Sequence, residues 1–509
     1  MMNHSVLTPS QHGLGWRLKI VTFVSGAALM GLEMAGGRVL AIHYGSSIYV
    51  WGSVIGTFLA ALTFGYYIGG SLADRKPSLL LLTILILAAG CWLILIPLYA
   101  DPVCRVIGRF RPGDRLGTLL ATGLIFSGPS ILMGIVCPFA IRLGAEKIEK
   151  LGYVAGRLYA LSTLGSIVGT IVTAFWLIPS LGIRTVITSL GAMLILSALI
   201  MLPGMHKPRL ISPLAVLAFI VALTNAYVDP GRMIWQLRRS QRVIFERDSA
   251  YHHIQVIDDP VRGARDLRFN NATEGSIDLH PPYGPRMRYI KAFHLSRVFK
   301  PDLKRVLVIG GGGASWPREL ITSDPQVIID VVEIDPVVIQ VSRQYFYLSD
   351  NPRLTIFAED GRQFVRRAKD NYDLIVIDAY TIGGQIPFHL TTQEFMREVR
   401  QILTPDGVVI ANVAGALEGR YSKVFRAIFK TTTSVFDNHY LFPLLNATEQ
   451  AGIETFAPQR GRNILIVAIN GKTRWTKESI TEKAQSLVSL TPQIVGDAQR
   501  LLDQKPRTD

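Results

Sequence analysis

The stretch KRVLVIGGGGASWPREL, residues 304–320, decides the fold. A short apolar run ends in four glycines and leads into a candidate helix near 317–322, so it reads as strand, tight loop and helix. The pattern repeats downstream. VIIDVVEID (327–335), LTIFAED (354–360), YDLIVIDAY (372–380) and GVVIANV (407–413) read as four more strands. VVIQVSRQYF, GRQFVRRAKD and EFMREVRQIL read as the helices between them. Strands that alternate with helices make a mainly parallel sheet covered on both faces. DNHYLFPL (437–444) and NILIVAI (463–469) supply two further candidate strands, and a candidate helix lies near 476–487. Upstream, residues 242–279 alternate and turn often (VIFERDSAYHHIQVIDD, LRFNN, GSIDL), which predicts a small antiparallel sheet with hairpins.

Chemistry gathers at the strand ends. Gly310, Gly311, Gly312 and Gly313 let backbone amides approach a ligand at the first strand-to-helix turn. Glu333 ends the second strand, 20 residues after Gly313, where a carboxylate can accept two ribose hydroxyls. Asp360 ends the third strand, placed to accept the exocyclic amine of an adenine, and Asp378 ends the fourth. Carboxyl ends of parallel strands form the ligand crevice of such sheets; the plainer reading is that some of these acids only cap the helices that follow. No second mononucleotide-binding half is present, which argues against NAD or FAD. S-adenosylmethionine or its decarboxylated form fits one half with these acids. Asp378 would face the positive sulfonium, or take a proton from an attacking amine. Tyr380 follows it, and Gly383–His389 reads as a lid with glycine hinges. Trp316 either stacks on a ligand or packs the helix start. His252 and His253 alternate across a strand, so one of them can face the crevice.

Outward from this core the composition changes. The 509 residues are 49% hydrophobic and only 18% charged, where a soluble protein carries about 25% charge. Residues 1–231 hold 16 Lys+Arg and 7 Asp+Glu, while the remaining 278 hold 37 and 31. Seven apolar segments, 18–42, 48–70, 79–99, 116–140, 153–177, 183–203 and 212–228, approach or reach spanning length. The chain therefore divides into a membrane domain (1–231), a small β-rich subdomain (232–296) and a Rossmann-like domain (297–509). Its fold class is a polytopic α-helical membrane region plus a soluble α/β domain. Gly65, Gly69 and Gly70 predict close helix packing, Pro129 and Pro138 a bent fourth span, and Glu33 and Arg38 a pair across one turn or a polar path. The three cysteines have no metal-binding spacing and read as buried thiols, and no metal site is expected. The net charge of +15 lacks a reading element for nucleic acid, so none is expected as a partner. The partners expected are the lipid bilayer and small molecules. Nine Lys or Arg in alternate loops against five favour the N-terminus inside. With seven spans this puts the soluble domain outside. A nucleoside cofactor argues for the cytoplasmic side, and that is the side expected for the soluble domain.

GGSLADRKP (69–77) is similar to a loop of major-facilitator transporters, and the longer stretch GLEMAGGRVLAIHYGSSIYVWGSVIGTFLAALTFGYYIGGSLADR (31–75) resembles the front of bacterial membrane proteins fused to a spermidine-synthase domain. Seven spans are too few for a complete transporter of that class. VLVIGGGGASWPREL, VEIDP, AEDGRQF and YDLIVIDAYTIGGQIPFHLTTQEF resemble the spermidine synthases themselves. The resemblance implies a transferase of the bacterial inner membrane, and a homodimer. It implies Glu333 at the ribose, Asp360 and Gly361 at the adenine, Gly310 and Gly312 shaping the loop, and Asp378 as catalytic acid/base.

The chain also departs from that pattern. Gly313 stands where the family has an aspartate, and no second acid follows Asp378 through Ile382. Tyr251 is followed by His252 rather than Gln, and Tyr289 by Ile290 and Lys291 rather than His and Glu. Tyr251, His252, Tyr289, Gln385 and His389 are the candidate acceptor-site residues. An acceptor other than putrescine follows from the missing acids. Methyl transfer, aminopropyl transfer to another acceptor, and a transporter or sensor that binds a nucleoside or amine without turnover stay open at this stage, as does a structural role with a decayed site.

Overall fold

The structure is a computed structural model. It describes residues 9–44, 48–110, 113–145, 151–201, 240–270, 272–380, 386–445 and 457–486. Contacts divide the chain into two compact units, Met1–Arg238 with Arg247–His253, and Arg239–Glu246 with Ile254–Asp509.

The first unit is the membrane-spanning region. Its described helices are α1 (Pro9–Tyr44), α2 (Ile48–Arg75), α3 (Leu79–Arg109), α4 (Gly113–Gly144), α5 (Leu151–Val172) and α6 (Ile183–Ile200). Helix α5 runs on through a π turn, Thr173–Leu177, to Leu181. All six are long and apolar enough to cross a bilayer. The predicted segment 212–228 lies outside the described residues. Two expectations resolve at atomic detail. A Cβ on Gly65 would meet the Ile131 carbonyl oxygen at 2.6 Å, and one on Gly69 the Ile135 Cα at 2.8 Å, so α2 and α4 touch backbone to backbone there. Gly70 faces open space and takes no part. Within α4, Pro129 lacks the N–H that would serve the Ile125 carbonyl. The Tyr99 hydroxyl from α3 donates to that oxygen instead (2.9 Å), and Trp92 Nε1 donates to Tyr99 (3.0 Å). Among the described residues no ion pair joins Glu33 to Arg38; the Arg38 guanidinium donates to the carbonyls of Ser249 (2.6 Å) and Tyr251 (2.9 Å). Cys104 and Cys137 are buried thiols, and Cys91 is half-buried.

The second unit opens with most of a four-stranded sheet, β1 (Arg242–Asp248), β2 (His253–Asp259), β3 (Ala264–Phe269) and β4 (Ala272–Asp278), in that spatial order, of which Arg247–His253 fall in the first unit. A seven-stranded sheet follows. Its strands are β5 (Arg305–Ile309), β6 (Ile328–Glu333), β7 (Leu354–Ala358), β8 (Tyr372–Ile377), β9 (Leu403–Gly415), β10 (Asn438–Pro443) and β11 (Arg462–Ile469). They lie in the order β10-β11-β9-β8-β5-β6-β7; β9 through β7 run parallel, and β11 is antiparallel to both neighbours. Strand residues alternate between two cores. Val306, Val308, Leu374 and Val376 face one, with Trp316 and Leu320 of α7 (Ser315–Ser323) and Ile480 of α12 (Lys477–Ser486). Leu307, Ile309, Ile375 and Ile377 face the other, with α9 (Gly361–Arg367), α10 (Gln393–Gln401) and α11 (Lys423–Thr433). This two-sided burial is why the strands read as continuous apolar runs. The small sheet packs Ile254, Val256, Leu267 and Ile277 on Val338 and Val341 of α8 (Pro336–Tyr345) and on Phe346, which brings β4 beside the glycine loop.

Candidate active site

Strands β5, β6, β7 and β8 end side by side, and the crevice is built on those ends. Gly310 has φ +98°, and a Cβ there would lie 2.2 Å from the Asp378 carbonyl oxygen, so conformation and space both demand glycine. The loop turns at Gly312 (φ +46°) and Ala314 (φ +49°) into α7. Glu333 holds it from below. One carboxylate oxygen accepts the N–H of Gly311 (2.9 Å) and of Gly312 (3.1 Å); the other accepts Asp335 N–H (3.0 Å). Burial pushes the Glu333 carboxyl up, against these backbone donors. The oxygen that accepts the Asp335 N–H keeps a lone pair for a further donor.

Asp360 does cap a helix: its Oδ1 accepts the N–H of Arg362 and of Gln363, each at 3.0 Å, at the start of α9. Its Oδ2 faces His389 Nε2 at 2.8 Å. Gly361 is tight, since a Cβ would lie 2.4 Å from Ile309 Cγ2. Asp378 is held differently. Asn412 Nδ2, from β9, donates to its Oδ1 (2.8 Å), and Asn463 Nδ2 donates to the Asn412 Oδ1 (3.0 Å), which fixes the amide's orientation. The Tyr289 hydroxyl donates to the Glu274 carbonyl oxygen (3.0 Å) and faces the Asp378 carboxylate. Burial pushes the Asp378 carboxyl up to about 7; Asn412 and Tyr289 oppose the rise and the Glu274 charge adds to it.

Glu274 is the functional candidate that sequence reading missed. It lies on β4 next to Gly275, which packs against Gly313. Burial pushes its carboxyl up to about 7 as well. Among the described residues no cation pairs with that carboxylate. An acid inside the polar alternation of β4 carries no sequence signal. Asn412 was missed too, although a lone amide in the apolar run GVVIANV was a usable sign.

The remaining expected residues separate. Tyr289 and Tyr380 join Asp378. The Tyr380 hydroxyl is committed to the β9 backbone, donating to the Asn412 carbonyl (2.8 Å) and accepting Ala414 N–H (3.0 Å). His389 sits on Asp360, away from the acceptor group expected for it. Tyr251 and His252 lie in the β1–β2 turn, which belongs to the other compact unit; burial, with the Arg38 charge, takes the His252 imidazole down to about 4. Gln385 and the glycines of the expected lid lie outside the described residues. Trp316 is buried between the ring edges of Phe293 and His294, so it packs the helix start.

A glycine cradle, strand-end acids and one mononucleotide-binding half define a Rossmann-like transferase of the S-adenosylmethionine type. Residues 290–444 match the family described as the spermine/spermidine synthase domain. The polyamine aminopropyltransferase of Vibrio vulnificus (strain CMCP6) is 33% identical over 211 residues, 40% of this chain and 68% of that one. Polyamine aminopropyltransferase 2 of Aquifex aeolicus (strain VF5) is 23% identical over 440 residues, 84% of each chain. The crystal structure of a probable spermidine synthase from Corynebacterium glutamicum ATCC 13032 aligns with a TM-score of 0.40 at 20% identity, covering 48% of this chain and 86% of that one. The chain belongs to the aminopropyltransferase (spermidine synthase-like) family, with the family's domain fused behind a membrane-spanning region.

Proposed function

We propose that the chain transfers an aminopropyl or a methyl group, from decarboxylated S-adenosylmethionine or S-adenosylmethionine, to an amine acceptor other than putrescine. The observation that carries this reading is the desolvated carboxylate of Asp378, oriented by Asn412 and Tyr289 at the mouth of the glycine loop. The amine nitrogen attacks the carbon bound to the sulfonium. The N–C bond forms, the C–S bond breaks, a neutral thioether leaves, and the amine proton passes to Asp378. Glu333 and Asp360 hold the ribose and adenine. Glu274 supports an amine acceptor, because it brings a second carboxylate to Asp378 from β4, where the loop after Asp378 supplies none. Tyr380 positions the β8–β9 edge through the backbone of β9.

The reading sets the chain in a bacterial inner membrane with the transferase unit on the cytoplasmic side, where the donor is made. Labelling of single cysteines in the transferase unit on intact and opened cells tests it.

The test of activity uses the purified full chain in detergent. Binding of methylthioadenosine and S-adenosylhomocysteine is measured by calorimetry, and turnover of each donor with a panel of amines by mass spectrometry. Product with either donor supports the reading. No binding at near-millimolar nucleoside overturns it. Binding without turnover, unchanged in Asp378→Ala, assigns the domain to a sensor or transporter instead.

A further inference from the structure

We infer that His389 is a positioning residue for the donor's base: by fixing Asp360 it selects a purine that carries an exocyclic amine. This rests on the reading in which Asp360 takes the adenine.

An ionised carboxylate offers two lone pairs on each oxygen. Both sites on Asp360 Oδ1 are used by the backbone N–H groups that open α9. Recognition of an amine is left to Oδ2, and His389 Nε2 occupies one of its two sites at 2.8 Å. The other points where the donors at Oδ1 and Oδ2 together direct it. Without the imidazole the backbone N–H groups still hold Oδ1, but the carboxyl plane is free to turn about that anchor.

His389 is itself held with unusual firmness for a residue following a glycine-rich stretch. Arg362 Nη1 donates to the His389 carbonyl (3.1 Å), while Arg362 Nε and Nη2 form a two-pronged pair with Glu398 at 2.8 and 3.1 Å. Arg366 adds a third donor to Glu398 (3.1 Å), and Glu394 contributes its charge from the same helix, α10. The Phe388 ring packs edge-on to the imidazole from the outside. Residues from α9 and α10 thus fix the backbone that carries His389, and His389 fixes the carboxylate. Such an arrangement is wasteful for a helix cap, which needs Oδ1 alone. It suits a carboxylate whose free lone pair must point at one donor atom.

The discriminating measurement is the ratio of dissociation constants for methylthioinosine and methylthioadenosine, which differ at the exocyclic position. A hydrogen bond to a charged partner makes the expected wild-type ratio about 10- to 100-fold in favour of adenine. In His389→Ala the ratio should fall to within about 3-fold. In His389→Gln, whose amide N–H can reach Asp360, it should return to the wild-type range. A residue that only stabilises the fold would weaken both nucleosides alike and leave the ratio untouched. An unchanged ratio in His389→Ala overturns the inference while the donor reading stands, and so does failure of His389→Gln to restore it. A wild type that binds neither nucleoside overturns the donor reading and the inference with it.

Discussion

Glu333 ends β6 with three backbone N–H groups on its two oxygens, whereas Asp378, two strands away in the sheet, is met by the side chains of Asn412 and Tyr289. Backbone donors are fixed by the fold and cannot turn away. They make Glu333 a structural member of the loop that it also equips for recognition. The Asn412 donor, with the Tyr289 hydroxyl beside it, leaves Asp378 with part of its desolvation uncompensated, and Glu274 adds a like charge. The first arrangement suits an acid fixed in place to hold a ligand. The second suits one that takes up and releases a proton near neutral pH. On the proposed function, the same strand-end position serves recognition or chemistry, according to what anchors the carboxylate.

Asp378→Asn should break the contrast most severely. General-base catalysis contributes roughly 10²–10⁴-fold, so turnover should fall at least about 10²-fold while methylthioadenosine affinity stays within about 3-fold. Single-turnover kinetics and calorimetry check the two halves. Equal loss of binding and turnover would make Asp378 a recognition residue like the others. Glu333→Ala should do the reverse: it leaves two loop N–H groups without their acceptor, at about 1–3 kcal/mol per unsatisfied buried group. Nucleoside affinity should drop at least about 10-fold, with a lower melting temperature, and turnover should follow binding.

A finer test uses pH. Because burial and Glu274 raise the Asp378 proton affinity, the base is protonated below about 7 and free above it. The rate at saturating donor should therefore climb through about pH 7 and level off above. Glu274→Gln removes the like charge, so the acid limb should move to lower pH, by roughly half a unit to one unit. A limb that stays in place would show that desolvation alone sets Asp378 and that Glu274 serves another purpose.

The contrast also explains what was legible beforehand. Sequence periodicity singles out Glu333, Asp360 and Asp378 because parallel strands put their last residues into a crevice, and the glycine loop marks its floor. This follows from local periodicity. Glu274 and Asn412 reach Asp378 from β4 and β9 by tertiary packing, 104 and 34 residues away in the chain, and no local rule registers such approaches. Sequence spacing ties His389 to the loop after Asp378 and so to the acceptor, whereas its partner is the acid one strand-and-helix unit earlier. The membrane segments were legible for the simplest reason, the length of their apolar runs. The use of Tyr99 to satisfy the carbonyl freed by Pro129 was not, since it depends on how α3 and α4 lie together.

The smallest expected effect concerns stability, and its sign opposes that on activity. The Asp378 carboxyl has an ordinary value of 3.8 and is raised to about 7 in the folded chain. A raised carboxyl means that the folded state holds its proton more tightly than the unfolded state does. Near pH 3 both states are protonated and the group costs nothing. As pH rises from about 4 toward 7, the unfolded chain gains by ionising and the folded chain does not, so stability is lost over that window and then stays constant. Asp378→Asn removes this loss. Its advantage over wild type should be absent near pH 3, grow up to about pH 7, and be flat beyond, with a gain of at least about 2–4 °C in melting temperature at pH 8. The same variant is expected to be nearly inactive. Melting curves of wild type and variant across pH 3–8 read the difference directly. If the two run parallel, Asp378 is better compensated than its side-chain partners suggest, and the division between anchored and reactive carboxylates loses its physical basis.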